Sequence, residues 1–356
     1  MKLIVAMSGG VDSSVAAAMM VDAGHDVSGV TMKLWGGESD NGCCAVSDTD
    51  DARRVAHRLG IEHHVFNFGE EFDRHVVEPY VAAHRAGETP NPCVECNRHI
   101  KFDKLIRRSR ALGFDAVVTG HHVRRVQDDA GRWRLARAVD VAKDQSYVLN
   151  MLSPSDLGDV WFPVGEMTKD DVRRIATERG LATADKPDSQ DVCFITKSAG
   201  RQNFLSGRID LHPGIVVDES GATVGSTEAI ELVTIGQRRG LDLAGGDARR
   251  FVTDVDVSAG RVSVGPPERL LVDQTLVGSM AWAIDPAELD TLDLTVQVSA
   301  HGVAATARID VSTGHDGTDR VTVNWLEPHR RVAVGQSVVV YADELVVAGG
   351  LAIRAG

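Results

Sequence analysis

The seven residues Ser8-Gly9-Gly10-Val11-Asp12-Ser13-Ser14, "SGGVDSS", follow directly on the apolar run Leu3-Ile4-Val5-Ala6-Met7. The run reads as a buried strand and the stretch Ser13–Ala23, stopped by Gly24, as an amphipathic helix. A strand, a glycine-rich turn and a helix start aim several backbone N–H groups and the positive end of the helix at one point, which suits a phosphate. Gly9 and Gly10 permit positive φ and close approach of a bulky anion. The hydroxyls of Ser8, Ser13 and Ser14 add donors, and Asp12 is placed either to cap the helix or to help hold Mg²⁺ beside the phosphates. The string is neither GxxxxGK[ST] nor GxGxxG, and it lacks the lysine that grips the β- and γ-phosphates in the first of these.

Outward from this loop, strands alternate with helices. Val27–Leu34, His64–Phe68 and Asp115–Thr119 read as strands, and Asp48–Leu59, Glu70–Ala86 and Arg98–Leu112 as helices. That alternation predicts an α/β fold, a doubly wound parallel sheet whose ligand crevice lies at the carboxyl ends of its strands. From about Pro213 the texture changes to short β-branched runs: Ile215–Val217, Phe251–Val257, Arg261–Val264, Leu294–Val298, Arg320–Val323 and Ser337–Tyr341. These predict a small, mostly-β central domain and a C-terminal β-barrel. The expected domains are 1–200, 201–268 and 269–356.

Composition bounds the function. At 356 residues with 43% hydrophobic and 25% charged side chains, the chain is an ordinary multidomain globular protein. The absence of an 18-residue apolar run and of a signal peptide predicts a cytoplasmic protein without a membrane partner. Five cysteines do not suggest a secreted disulfide framework. Net charge is −13, yet Arg98–Lys143 holds 12 Lys/Arg against 5 Asp/Glu, whereas residues 200–356 hold 13 against 21 and no lysine. The basic stretch is either a footprint for a polyanion or a solvated helix face.

The thiols point to the second half of the chemistry. Thr89-Pro90-Asn91-Pro92-Cys93-Val94-Glu95-Cys96-Asn97 sets a CxxC just ahead of the helix at Arg98, where the dipole and nearby Arg98, His99 and Lys101 stabilise a thiolate. Cys193 lies far downstream, 97 residues beyond Cys96. Zinc on the three thiols with His99 or His121 is a rival reading, and any single cysteine can be a small buried hydrophobe. Cys43 and Cys44 receive no role.

The loop resembles that of the ATP-pyrophosphatase (PP-loop) superfamily, whose members split ATP between the α- and β-phosphates, adenylate a substrate oxygen and let a nucleophile displace AMP. Further stretches in order are "TPNPCVECNRHIKF" at Thr89–Phe102, "TGHHVR" at Thr119–Arg124 and "KDQSYVL" at Lys143–Leu149. "DSQDVCFI" at Asp188–Ile195, "TIGQRRGL" at Thr234–Leu241 and "GQSVVVY" at Gly335–Tyr341 complete them. Together with the loop, these resemble the tRNA-specific 2-thiouridylase family over most of the chain.

The resemblance implies ATP-dependent 2-thiolation of the wobble uridine of tRNA, with ATP and Mg²⁺, by a tRNA-uridine 2-sulfurtransferase. A partner protein would load Cys193 with a persulfide, and Cys96 would be the nucleophile. Sulfur reaches C2 either by direct attack of the terminal sulfur or as hydrogen sulfide released by Cys96, and both routes leave a Cys96–Cys193 disulfide. The separation of the two thiols requires a mobile segment after Gly180. By the same resemblance Ala6, Met7, Ser8, Gly9, Gly10, Val11, Asp12, Ser13, Met32 and Gly120 surround ATP. Asn91, Pro92 and Cys93 line the flipped target base, while His121, Lys143, Asp144, Gln145 and Gln336 touch tRNA.

Two departures stand out. Many relatives carry Asp where this chain has Cys93, so Cys93, Cys96 and Cys193 form an alternative ligand set for a [4Fe–4S] cluster. Where the family pattern has an Arg-Tyr pair in the last domain, this chain reads Gln297-Val298-Ser299-Ala300-His301. An amidating synthetase with the same loop, and a non-catalytic nucleotide- or zinc-binding module, remain the competing functions.

Overall fold

A computed structural model describes residues 1–34, 46–188, 192–195, 200–243, 249–313 and 319–354. Cys43 and Cys44 lie outside these residues, as does part of the segment expected to move after Gly180. The chain forms two compact units. The first comprises Met1–Val77, Pro92–Ser198 and Glu344–Val347; the second comprises Glu78–Asn91, Ala199–Asp343 and Ala348–Gly356.

The first unit is built on strands β1 (Lys2–Ala6), β2 (Asp26–Lys33), β3 (Glu62–Asn67) and β4 (Ala116–Thr119). A hairpin, β5 (Arg124–Gln127) and β6 (Trp133–Ala136), precedes the short strand β7 (Val160–Trp161). The sheet runs β3-β2-β1-β4-β7 and every pairing is parallel. Leu3, Ile4 and Val5 are all wholly buried, as befits a central strand covered on both faces. The chain passes from β1 to β2 on one side, while β4 lies on the other, so the topological switch point falls at the carboxyl ends of β1 and β4.

Helix α1 (Val11–Asp22) follows the glycine-rich loop, and α2 (Val46–Leu59) follows β2. The amphipathic expectation for α1 is not met, because Val11, Ser13, Ser14, Val15, Ala16, Ala17, Ala18 and Met20 are all buried. The helix is enclosed by β1, β2 and β4 together with α2 and a later helix, and its alanines allow that close approach. The helix expected over Glu70–Ala86 is α3 (Gly69–Phe72), a wider π turn (Asp73–Val77) and α4 (Glu78–Arg85), the last belonging to the second unit. The helix expected from Arg98 begins earlier, at Pro92: α5 (Pro92–Glu95) runs through π turns at Cys96–Lys104 into α6 (Leu105–Ala111). Proline suits a first helical position because its missing N–H is not needed there. Helix α7 (Lys169–Glu178) closes the unit, its start fixed by a capping box between Thr168 and Asp171.

In the second unit, α8 (Gly200–Ser206) leads into β8 (Gly214–Val217), β9 (Thr223–Thr227), β10 (Phe251–Asp256) and β11 (Arg261–Gly265). They form a sheet in the order β10-β11-β8-β9 over a core of Val216, Ile230, Val252 and Val262. Strands β12 (Leu271–Trp282), β13 (Leu294–Gln297), β14 (Ala305–Thr313), β15 (Asp319–Arg330), β16 (Ser337–Ala342) and β17 (Leu345–Ala352) follow. Their order β12-β15-β14-β13-β16-β17 returns to β12, through pairs such as Val277↔Ala352 and Trp282↔Ala348. The result is the expected small antiparallel barrel, six-stranded and without a free edge.

The stretch Glu78–Asn91 is held within this second unit by side chains of distant origin. Tyr80 meets Phe204 edge-on with ring centroids 6.3 Å apart, and His84 Nδ1–H donates to the Glu231 carbonyl at 3.2 Å. Thr89 N–H donates to the Val334 carbonyl at 2.9 Å, and the Gln336 amide donates to the Thr89 carbonyl.

Candidate active site

The glycine-rich loop sits at the carboxyl end of β1, at the switch point of the first unit's sheet. Gly9 has φ of +71° and packs so closely on the first turn of α2 that an added Cβ would stand 2.3 Å from the Asp48 carbonyl oxygen. Gly120, just past β4, is also forced: its Cβ would stand 2.4 Å from Ser13 N. Glycine is therefore required on both sides of the crevice for steric reasons. The hydroxyls of Ser13 and Ser14 donate to the Gly10 carbonyl at 3.1 and 2.8 Å, and Ser8 N–H donates to Ser13 Oγ at 3.2 Å. Beside the loop, Thr31 Oγ1 donates to the Met7 carbonyl at 2.8 Å, fixing the end of β1 to β2 one residue before Met32.

Asp12 does not cap α1; the cap position is Gly10, with no side-chain bond. Its carboxylate instead faces Lys169 Nζ, at 2.8 Å from each oxygen, and His122 Nε2 at 3.0 Å. Burial alone would raise the Asp12 pKa, but the hydrogen bonds from His122 and Lys169 outweigh it and hold the group below the ordinary carboxylate value. Lys169 opens α7, whose backbone start is tied to Asp140 by a bond of 2.9 Å. Thus a lysine absent from the loop reaches its acidic residue from 157 positions downstream.

Lys169 Nζ also lies 2.9 Å from Asp188 Oδ1. Asp188 accepts in addition from Lys143 Nζ at 2.8 Å and from Arg173 Nη2 at 3.0 Å. Burial pushes the Asp188 carboxyl up, but Lys143 and Lys169 together hold it far below the usual carboxylate range. Arg173 further donates to the carbonyls of Ala184 (2.9 Å) and Lys186 (3.2 Å), and Lys186 Nζ pairs with Asp48 and Asp51 at 2.6 Å each. Ala184, Lys186 and Asp188 are thus each fastened.

Cys96 is buried, whereas Cys93 and Cys193 are half-buried. Because the helix begins at Pro92, Cys96 lies inside it and not ahead of it, which corrects the placement on which the dipole argument rests. Phe194, next to Cys193, meets Phe72 edge-on at 5.6 Å, and Phe72 ends the helix α3 that packs against Cys96–Lys104. Val192 holds a positive φ of 52°, costly for a β-branched residue. Among the described residues no three His, Cys, Asp or Glu side chains gather as a metal site. Of the histidines considered for zinc, His99 Nε2 faces Glu95 at 3.2 Å and His121 Nδ1 faces Thr119 Oγ1 at 2.8 Å.

The expected nucleic-acid contacts have varied surroundings. Burial, reinforced by Lys101 and His122, holds the His121 imidazole neutral, far below the ordinary histidine value. Asp144 is turned inward, pairing with Arg137 at 3.0 Å and accepting from Ala138 N and Ser146 N. Gln145 accepts from His122 N–H at 2.8 Å. Gln336 lies in the second unit, bonded to Thr89, and in that unit Asn91 ends the stretch that Thr89 anchors. The Gln297 side chain is buried, donating to the carbonyls of Ser299 (2.9 Å) and Ala300 (3.2 Å). Much of the basic stretch is consumed internally: Arg107 pairs with Asp103, Arg110 with Asp159, Arg132 and Arg134 with Asp128, and Arg124 with Glu344.

Family models match nearly the whole chain: a "tRNA methyl transferase HUP domain" over residues 1–197, a "tRNA methyl transferase PRC-barrel domain" over 202–266 and an "Aminomethyltransferase beta-barrel domain" over 272–352. The tRNA-specific 2-thiouridylase MnmA of Chloroflexus aggregans is 46% identical over 99% of this chain and 98% of its own length. That of Beutenbergia cavernae is 47% identical over 96% and 92%. The chain belongs to the tRNA-specific 2-thiouridylase family. Among solved structures, the U34-tRNA thiolase NcsA from Methanococcus maripaludis, with its [4Fe-4S] cluster, aligns with 19% identity over 52% of this chain and 60% of that one, at a TM-score of 0.36. In this 2-thiouridylase Lys169 and Arg173 lie in none of the quoted motifs, and His122 lies in TGHHVR without a role assigned to it; the fold brings Lys169 and His122 to Asp12, and Lys169 and Arg173 to Asp188. Among the described residues, no helix is long and apolar enough to cross a membrane.

Proposed function

We propose that the protein is an ATP-dependent tRNA-uridine 2-sulfurtransferase acting at the wobble position. One observation carries the reading: a PP-loop without its own lysine lies at the switch point of a parallel sheet, in the unit that also holds Cys96 and Cys193. The C2 oxygen of uracil is a poor leaving group. Attack of that oxygen on the α-phosphorus of ATP releases pyrophosphate and leaves an O-adenylate. The loop's backbone donors and the start of α1 receive the phosphates, with Ala6–Ser13, Met32 and Gly120 bordering the nucleotide. Mg²⁺ arrives as part of the MgATP substrate.

Sulfur comes as a Cys193 persulfide, loaded by a sulfur-donor protein. Its terminal sulfur bonds to C2, AMP departs with the former oxygen, and Cys96 thiolate takes Cys193 Sγ to form the disulfide; an external dithiol then restores both thiols. Asn91, Pro92 and Cys93 line the extruded base. His121, being neutral, serves tRNA by hydrogen bonding and not by charge, while Lys143, Asp144, Gln145 and Gln336 flank the bound tRNA.

The test is 2-thiouridine formation on an unmodified tRNA transcript with ATP and a persulfide donor, in aerobic and anaerobic preparations. Colourless protein should be active in both. Activity found only in a brown anaerobic preparation and lost with Cys93→Ser would overturn the persulfide route. Full activity of Cys193→Ser in an ATP-dependent amidation would overturn the thiolation reading altogether.

A further inference from the structure

The peptide between Met7 and Ser8, through which β1 enters the PP-loop, is held by a side chain at each of its polar ends. Thr31 Oγ1 donates to the Met7 carbonyl at 2.8 Å, and Ser13 Oγ accepts from Ser8 N–H at 3.2 Å. Thr31 has a second partner, since its Oγ1 lies 2.9 Å from His63 Nε2. A hydroxyl carries one proton, and that of Thr31 goes to Met7, so its lone pair accepts from His63 Nε2–H. Burial, with Arg53 and His64 nearby, holds the His63 imidazole below the ordinary histidine value. Near pH 7 the ring is therefore neutral, with its one proton on Nε2 and a bare Nδ1. The structure agrees: His63 Nδ1 is buried and has no hydrogen-bond partner among the described residues.

The backbone is arranged for this reach. In the parallel register of β2 and β3, His63 stands opposite Gly29, which precedes Thr31 by two residues and shares its face of β2. A Cβ on Gly29 would lie 2.5 Å from Met7 Sδ and 3.3 Å from His63 Cδ2, so the glycine clears the ring's path to Thr31. Thr31 and Met7 are each 2% exposed, which shields the bond between them from water.

Resting on the functional reading above, we propose that His63 and Thr31 are positioning residues for ATP. They form a relay from β3 through β2 to the end of β1, His63 Nε2–H to Thr31 Oγ1–H to the Met7 carbonyl, that sets the orientation of the peptide entering the PP-loop. A donor to the Thr31 oxygen polarises its O–H and strengthens the bond to Met7. That peptide matters because its two ends carry opposite partial charges. With the carbonyl drawn to β2, its negative end is kept from the phosphates, and the N–H end stays with the donors of the loop.

Calorimetric binding of α,β-methylene-ATP, and tRNA-dependent pyrophosphate release over ATP and tRNA titrations, test this on the full chain. Thr31→Val keeps the shape and loses the donor. It should weaken analogue binding and raise KM for ATP about tenfold, with kcat and KM for tRNA within about twofold of the parent. His63→Leu should give about threefold, and His63→Gln, whose amide can donate from the place of Nε2, should recover the parent value. Because His63 acts through Thr31, adding His63→Leu to Thr31→Val should change nothing further. The imidazole nitrogen NMR spectrum of histidine-labelled protein, with His63 assigned by its loss in His63→Gln, should show the proton on Nε2. Thr31→Val with parent affinity for the analogue, a double variant whose losses add, or a His63 proton on Nδ1 each overturns the relay. A loss that extends equally to KM for tRNA is general loosening of the sheet and overturns it too. The two ideas separate in the same samples. Analogue binding that responds as expected in a protein releasing no pyrophosphate with tRNA sinks the functional reading alone, whereas binding unchanged by Thr31→Val in a protein that does release it sinks the relay alone.

Discussion

Gly120→Ala is the smallest perturbation that should disable the nucleotide crevice. Gly120 does not need a positive φ; it needs the missing carbon, because a Cβ would lie 2.4 Å from Ser13 N, 2.6 Å from Asp12 C and 2.8 Å from Ser13 Cα. All three are backbone atoms of the first turn of α1 and cannot rotate away. Ordinary contact begins near 3.4 Å, so loop and strand end must separate by about 1 Å. Overpacking of this kind costs about 1–3 kcal/mol of stability. Displacing catalytic groups by about 1 Å costs about 10²-fold in rate. The assay is tRNA-dependent pyrophosphate release over an ATP titration, with thermal unfolding alongside. We expect kcat/KM for ATP to fall about 100-fold while the protein still unfolds cooperatively, a few degrees lower. Gly24→Ala is the control, since its φ of +76° meets nothing within 4 Å and only stability should change. A Gly120→Ala enzyme releasing pyrophosphate within about twofold of the parent would refute the steric reasoning.

Other outcomes follow from the thiols, a buried histidine and the strained valine. Cys96→Ser and Cys193→Ser should each lower thiolation by at least about 10³-fold and leave pyrophosphate release intact, because serine neither carries nor accepts a persulfide sulfur; Cys93→Ser should stay within a few-fold of the parent. His84, buried at 2% exposure, is pushed down to about 4 by burial, which the bond to the Glu231 carbonyl only partly offsets. Its contribution is fully present above the unfolded value of 6.5 and is lost as the pH falls from there to about 4, on the order of 3 kcal/mol in all. Urea unfolding at pH 7 and pH 4.5 measures that loss, and His84→Gln should flatten it; an unaltered slope would contradict the assignment. Val192→Gly should remove the backbone strain and raise the unfolding free energy by about 1 kcal/mol, and a destabilised variant would argue against strain at that residue.

The glycine-rich loop was legible because everything that defines it is local: an apolar strand, two glycines and a helix start within about fifteen residues. The later β-branched runs were legible for the same reason. The β5–β6 hairpin was not, since its charged residues disguise it. Arg125 lies over the Trp133 ring at 4.2 Å and over Trp161 at 5.1 Å, and Arg134 pairs with Asp128, so side chains that look like a solvated face are packed ones. The positive balance of 98–143 overstated the free charge only through carboxylates outside the stretch: Asp159 pairs with Arg110, Glu344 with Arg124 and Asp188 with Lys143. Strand β12 escaped because register shifts between Val272 and Gln274 and between Gly278 and Ala281 break its alternation. At the site, Asp12 was legible as a chemical group but its partners were not. No pattern within a helix or loop can announce that Lys169 will meet it, because that contact exists only once α7 has docked against α1.

The division of the chain into units has a consequence for the order in which the protein is made. Glu78–Asn91 is synthesised in the middle of the first unit but belongs to the second, and each of its anchors (Phe204, Glu231, Val334, Gln336) comes more than a hundred residues later. At synthesis rates of about 5–20 residues per second, this stretch waits roughly five to fifty seconds for its partners. During that interval Tyr80 and His84 have no core to enter, and the helix that starts at Pro92 hangs from an unanchored tether. A ribosome stalled near residue 200 should therefore display a nascent chain that proteases cut between Val77 and Pro92, and release of the finished chain should seal that site.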